Sequence, residues 1–156
     1  MPYIVDAEII SNKPLAPGTM RLVLRSPEIA EECAPGQFVN VHTAAPGQTD
    51  PLLKRPLSIC RADREKGCIE LVYNIVGKGT ALLAEMTGRC RIVGPLGKGF
   101  PLPEDNCVSL LAGGGVGCAP MCFLADELKK RNKDAYIITG FGTKEQIFTK
   151  SLLPGA

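Results

Sequence analysis

Three short stretches carry residue types whose spacing could do chemistry. Arg55-Pro56-Leu57-Ser58-Ile59 reads as a strand that opens on a cation and offers a hydroxyl further along. The two-residue period of a strand puts Leu57 and Ile59 on one face, Pro56 and Ser58 on the other. The guanidinium fork of Arg55 suits a diphosphate. Ser58 is short enough to let a planar ring approach the backbone while offering it a hydrogen bond. Gly77-Lys78-Gly79-Thr80 opens a short helix. Its glycines allow close approach, and first-turn N–H groups together with the helix dipole make an anion site. Thr80 suits an N-cap or a hydrogen bond to phosphate. Gly113-Gly114-Gly115-Val116-Gly117-Cys118-Ala119-Pro120 joins a strand to a helix, where a dinucleotide pyrophosphate would bind. It departs from strict Gly-x-Gly-x-x-Gly spacing, because the last position is Cys118 counted from Gly113 and Pro120 counted from Gly115. Taken singly, each stretch also has a plain reading: a barrel strand with an exposed arginine, a capped glycine turn, a tight strand-to-helix turn.

The elements that must position these stretches fall into two grammars. Up to about Pro103 the chain reads as short strands punctuated by Gly and Pro: Tyr3–Ile10, Thr19–Arg25, Gln37–Thr43, Pro56–Arg61, Cys68–Val76 and Arg89–Val93. Alternation is clean in Met20–Arg25 and Cys68–Tyr73, so one face of each is apolar. Turns are expected at Ala16-Pro17-Gly18, Ala34-Pro35-Gly36 and Ala45-Pro46-Gly47, and a short helix at Thr80–Met86. Six such strands predict a closed, antiparallel Greek-key barrel, which removes sheet edges.

From Cys107 the pattern changes. Cys107–Ala112 is a continuous apolar run, as expected of a parallel strand buried on both faces. The glycine loop follows, then a helix over Ala119–Arg131 with Met121, Leu124, Ala125 and Leu128 at helical spacing. A second apolar strand, Ala135–Gly140, and a second helix, Lys144–Leu152, complete the order. This is the start of a doubly wound parallel α/β domain. The expected division is 1–102 for the barrel and 103–156 for a partial α/β domain, with the boundary near Pro101-Leu102-Pro103-Glu104. Two parallel strands leave sheet edges unpaired and little core, so the expectation is that more chain once followed Ala156 or that another surface covers the edge, with truncation favoured.

Composition narrows the function. The 156 residues carry 18 basic and 16 acidic side chains, a net charge of +2, with no basic stripe. That argues against nucleic-acid binding. No apolar run approaches the ~20 residues that span a bilayer, and the amino terminus lacks the charged and apolar regions of a signal peptide, so a cytoplasmic protein without membrane contact is expected. The seven cysteines, Cys33, Cys60, Cys68, Cys90, Cys107, Cys118 and Cys122, form no C-x-x-C pair and no iron–sulfur run. An odd number without a secretion signal disfavours a disulfide framework, so most are expected to be small buried apolar residues. His42, the lone histidine, is expected to be structural or surface, and Lys129-Lys130-Arg131 to complement a helix dipole. No carboxylate pair reads as an acid/base couple, and no metal site is expected.

The order of the three stretches is more specific than any one of them. Arg-Pro-x-Ser on a barrel strand, Gly-x-Gly-Thr at a helix start, then Gly-Gly-Gly-x-Gly-x-x-Pro opening an α/β domain resembles the ferredoxin–NADP reductase-like flavoproteins. Arg55–Ile59, Val93–Phe100 and Thr139–Glu145 look most like their dihydroorotate dehydrogenase electron-transfer subunits, and the likeness covers nearly the whole chain. The resemblance implies that Arg55, Pro56, Leu57 and Ser58 contact FAD, with Ser58 near the reactive edge of the flavin. It implies that Val72, Tyr73 and Asn74 line the adjacent strand, that Gly79 and Thr80 hold the pyrophosphate, and that Gly114, Gly115 and Gly117 lie against NAD(H). Many members have an aromatic residue where Leu57 stands and a basic one where Asn74 stands. Members continue into the rest of the nucleotide domain and a cysteine-rich segment that binds a [2Fe–2S] cluster; those ligands are absent from this sequence, and so is half of the NAD pocket. The implied role is electron transfer between NAD(H) and a catalytic dihydroorotate dehydrogenase subunit in a hetero-oligomer, in pyrimidine biosynthesis. In this chemistry the flavin makes and breaks the bonds, so no acid/base catalyst is named. The alternatives are an electron-transfer subunit of another NAD(P)H:ferredoxin or sulfide oxidoreductase, or a flavin-binding or assembly module without turnover.

Overall fold

The computed structural model describes residues 1–44, 49–103 and 107–153. Six antiparallel strands, β1 (Tyr3–Ala16), β2 (Thr19–Arg25), β3 (Phe38–Val41), β4 (Arg55–Asp63), β5 (Cys68–Asn74) and β6 (Arg89–Leu96), close a barrel in the order β1-β2-β5-β4-β3-β6. Period-two alternation decides what fills it: Leu22 faces Leu71 and Leu24 faces Ile69 across the β2–β5 ladder, all of them fully buried. Two helices, α1 (Pro27–Glu32) and α2 (Lys78–Glu85), add Ile29, Ala30 and Leu83 to the same core.

Several barrel elements differ from the sequence expectation: β3 is shorter, β6 runs on to Leu96 and α2 starts at Lys78. Strand β1 continues beyond Ile10 to Ala16, because Tyr3–Glu8 pairs with β6 while Glu8–Ala16 pairs with β2, with a register irregularity between Ile9 and Ser11. The Ser11–Pro14 stretch looks like a loop locally and is made strand by its partner. Strand β4 likewise runs to Asp63, held by pairing with β5. Helix α1 was not expected, although Pro27 at its first position and Glu28 in its first turn are ordinary helix-start residues. The turns at Gly18 and Gly36 are present, with φ of 70° and 91°; the one expected at Ala45–Gly47 lies outside the described residues.

The second unit is a parallel pair, β7 (Ser109–Gly114) and β8 (Ala135–Gly140), with helix α3 (Cys118–Lys130) between them in sequence. Helix α3 is shared. Cys118, Ala119 and Cys122 pack against Cys60 and Val72 of the barrel, whereas Leu124 and Leu128 pack against Leu111 of β7. Arg61 ties the units together, donating to Asp126 Oδ2 of α3 at 2.6 Å and to the Leu152 carbonyl.

Two expectations fail here. The predicted burial of β7 on both faces is not found: Leu111 is 6% exposed, but its neighbour Leu110 is 67% exposed, and Tyr136 and Ile138 of β8 lie open on the same side. Helix α3 covers one face of the two-stranded sheet and nothing among the described residues covers the other. The helix expected over Lys144–Leu152 is instead a 3-10 turn, Lys144–Gln146, followed by the short helix α4 (Thr149–Leu152). Among the described residues no helix is long and apolar enough to cross a membrane. The predicted boundary runs into residues 104–106, and Ala156 is likewise outside the described residues.

Candidate functional site

Strands β4 and β5 are antiparallel neighbours with Ile59 opposite Leu71, so the start of β4 and the end of β5 meet at one rim of the barrel. The link from Asn74 to Lys78 is short, so the first turn of α2 lies beside Arg55. The contact is close: a Cβ added to Gly79 would lie 2.6 Å from Arg55 Nε and 2.8 Å from its Cζ. Only glycine lets the guanidinium rest on the helix start. Arg55 also donates to the Leu53 carbonyl, while its Nε is buried with no hydrogen-bond partner. A buried donor left unpaired costs roughly 1–3 kcal/mol, which an anionic acceptor would relieve.

Beside this contact lies a cleft of about 350 Å³, lined by Arg55, Pro56, Leu57, Ser58, Val72, Tyr73, Asn74, Val76, Thr80, Val116 and Gly117. Nine residues singled out in the sequence therefore converge on one wall system, and Gly79 abuts it through Arg55. The side chains are not all free to act. Tyr73 turns its ring into the barrel, where its hydroxyl donates to Asn12 Oδ1 at 3.0 Å and burial raises its pKa, so only its backbone borders the cleft. Asn12 is held in turn by donating to the Leu83 carbonyl at 2.7 Å. Thr80 is not the N-cap expected from the sequence: α2 begins two residues earlier, with Gly77 at the cap, and Thr80 in the first turn reaches back to it. Its hydroxyl donates to the Gly77 carbonyl at 3.0 Å and accepts from the N–H groups of Val76 and Gly77 at 3.0 and 3.2 Å.

The glycine loop after β7 divides its work. Gly113 sets close strand–helix packing, since a Cβ there would meet Cys118 Cα at 3.0 Å, and Gly115 takes a left-handed φ of 51°. Gly117 borders the first cleft. Gly115 borders a second cleft of about 240 Å³, with Pro17, Gly18, Thr19, Asn74, Ile75, Val76, Phe141, Gln146 and Phe148. Gly114 lines neither. This second cleft sits at the carboxyl ends of β7 and β8, the usual ligand position of an open parallel sheet. Phe141 and Phe148 meet edge to face there, with centroids 5.2 Å apart. Of the lining residues missed in the sequence, Phe141 was findable, because it directly follows a parallel strand. Thr19 and Val116 join the site only through tertiary contact.

The remaining candidates do not join. His42 follows β3, away from both sets of lining residues, and the Lys129–Arg131 cations sit at the end of α3. A further concavity of about 710 Å³ along α3 and β8 holds none of the predicted site residues and marks the open edge of the small sheet. Among the described residues no cluster of His, Cys, Asp or Glu could hold a metal ion. Five of the seven cysteines are buried and all are free. Cys60 and Cys122 pack together between β4 and α3, and the neighbouring Cys122 thiol together with burial pushes the Cys60 thiol up.

No family model matches the chain. Known proteins match it closely. Over 150 residues, 94% of its length, it is 38% identical to the dihydroorotate dehydrogenase B (NAD(+)) electron transfer subunit of Desulforamulus reducens. Over 145 residues, 90% of its length, it is 42% identical to the same subunit of Geobacillus kaustophilus. Its homologues are dihydroorotate dehydrogenase B electron transfer subunits. The chain spans 56% and 55% of those two relatives, about half their length. Among solved structures, an NADH-dependent reduced ferredoxin-NADP oxidoreductase studied for flavin-based electron bifurcation superposes with a TM-score of 0.80 at 28% identity, covering 96% of this chain and 55% of that one. The ferredoxin reductase of carbazole 1,9a-dioxygenase superposes with a TM-score of 0.79 at 22% identity, covering 94% and 45%, which establishes the shared fold. The barrel and α/β unit thus share the fold of the ferredoxin reductase-like flavoproteins, as the order of the three motifs implied.

Proposed function

We propose that this chain is the FAD-binding portion of an electron-transfer subunit working between NAD(H) and a partner dehydrogenase, the partner's reaction being oxidation of dihydroorotate to orotate. One observation carries the reading: the Arg55 guanidinium rests on Gly79 at the start of α2, its Nε buried and unpaired, and the same arginine borders a cleft lined by Pro56, Leu57, Ser58 and Asn74. A cation and a helix amino terminus together suit a diphosphate, and the mostly apolar cleft beside them suits a planar ring. Bound there, FAD would accept hydride from a reduced nicotinamide and pass electrons on singly.

The chain's own residues have separate tasks in this reading. Arg55 and the first turn of α2 hold the diphosphate, with Gly79 permitting the approach and Thr80 fixing the turn. Ser58 offers a hydroxyl to the ring, and Val72 and Val116 keep water from that wall. Gly115 and Phe141 border the second cleft, which we assign to the nicotinamide end of NAD(H); Gly114 and Gly117 flank the same loop. In this assignment residues 1–102 serve the flavin and 103–156 begin the nucleotide side. Among the described residues no cluster of His, Cys, Asp or Glu could hold a metal ion, so the [2Fe–2S] cluster of the resembled family is assigned to no residue.

The test is direct. The purified chain with FAD should show the two visible flavin bands after gel filtration, and Arg55→Ala should weaken FAD binding by at least about tenfold, the worth of one charge-assisted pair. A colourless protein, or an Arg55→Ala variant that holds FAD as tightly as wild type, would reject the site. The structural match at 28% identity favours a second reading with the same flavin site and a ferredoxin-linked partner. Reduction of the bound flavin by NADH, followed by transfer to dihydroorotate dehydrogenase or to ferredoxin, separates the two.

A further inference from the structure

The two clefts share only two lining residues, Asn74 and Val76. Val76 is apolar, so Asn74 is the one polar side chain common to both. It closes β5, and its register partner is Thr19, the first residue of β2. Thr19 is 6% exposed, and its hydroxyl donates to Asn74 Oδ1 at 2.8 Å. That bond decides which way the amide points. A carboxamide is planar, with its oxygen and its NH₂ on opposite sides of the Cγ atom. Thr19 lines the second cleft alone, so pinning Oδ1 to it turns Nδ2 towards the first cleft. No acceptor for Nδ2 occurs among the described residues.

We propose that Thr19 is a positioning residue that holds the Asn74 amide with its donors towards the first cleft, so that Nδ2 hydrogen-bonds an acceptor atom of the flavin ring and raises its reduction potential. The proposal rests on the assignment of that cleft to FAD. A neutral donor at a ring acceptor favours the reduced form, because reduction adds electron density to the ring nitrogens and oxygens. Asparagine supplies this donor without charge. The positive charge in the site is left to Arg55, at the phosphate end. Thr19 itself does not line the flavin cleft; valine in its place would fill the same volume and release the amide to rotate.

The experiment uses the full chain loaded with FAD, and reads the FAD dissociation constant by flavin fluorescence and the midpoint potential by dye-coupled reduction. Thr19→Val is expected to leave FAD affinity within about threefold. It should lower the preference for reduced over oxidised flavin by about three- to tenfold, the worth of one hydrogen bond, or about 15–30 mV for a two-electron couple. Thr19→Ser, which restores the hydroxyl, should return the wild-type potential. In an Asn74→Ala background at saturating FAD, Thr19→Val should have no further effect, because the group it positions is gone. A wild-type potential in Thr19→Val overturns the proposal, as does an equal shift with Asn74 absent, or a loss of FAD that Thr19→Ser fails to repair. A wild-type chain that takes up no FAD defeats the site assignment itself, a different failure from any of these.

Discussion

Gly79 fixes where Arg55 can lie. Alanine at this helix position is intrinsically favoured by about 0.8–1 kcal/mol, yet its Cβ would fall 2.6 Å from Arg55 Nε. The clash involves the far end of a flexible side chain, so the fold survives while the guanidinium moves. Gly79→Ala is therefore expected to keep or slightly raise the melting temperature of the FAD-free chain and to weaken FAD binding by at least about tenfold, a loss comparable to removing the arginine. Unchanged affinity would mean that Arg55 does not need its present seat. Cysteine chemistry is equally residue-specific. Burial pushes Cys33 and Cys90 up to about 11, so both remain thiols at pH 8, and Cys60, Cys118 and Cys122 are inaccessible between β4 and α3. Alkylation with iodoacetamide at pH 8 should modify exposed Cys107 first and half-buried Cys68 more slowly, with the other five reacting only in denaturant. Mass spectrometry that finds Cys60 or Cys122 labelled in the folded chain would contradict the packing of α3.

At the scale of elements, β7 tests how far a strand's pattern predicts its surroundings. Leu110 and Leu111 are adjacent and chemically identical, but one is 67% exposed and the other 6%. Leu111→Ala should destabilise by about 2–4 kcal/mol through lost packing against Leu124 and Leu128, whereas Leu110→Ala should cost no more than about 0.5 kcal/mol. Urea titration of both variants decides this, and equal costs would mean that the outer face is covered. The apolar run Cys107–Ala112 reports strand type correctly and cannot report how many layers cover it, since that depends on elements elsewhere. The same distinction runs through the chain. Alternation in β2 and β5 was enough to place the barrel interior, because period two is a local property. The extension of β1 to Ala16 was not readable, because Ser11–Pro14 becomes strand only through its pairing with β2. At the site, the order of Arg55, Gly79 and Thr80 foretold their meeting. The committed hydroxyl of Thr80 and the inward ring of Tyr73 were hidden, because each depends on a partner chosen by the fold.

For the molecule as a whole, the decisive feature is that α3 belongs to two cores at once. Phe123 lies 1% exposed in the cluster that includes the barrel interior, Cys118 and Cys122 sit against Cys60 and Val72, and Leu124 and Leu128 complete the core under β7. Two parallel strands with a single covering helix bury too little to stand alone. The α/β unit should therefore borrow its stability from the barrel and unfold with it. Phe123→Ala removes a large side chain from the shared helix and is expected to cost about 3–5 kcal/mol, a large part of the 5–15 kcal/mol typical of a domain. Hydrogen exchange read by mass spectrometry should then show peptides from β2 and β5 losing protection together with those from β7 and β8. Faster exchange in β7 and β8 with an undisturbed barrel would show instead that Phe123 serves the small sheet alone. A peptide of residues 104–156 supplies the complementary check: circular dichroism should find it without stable helix, because the residues that cover the inner face of α3 belong to β4 and β5.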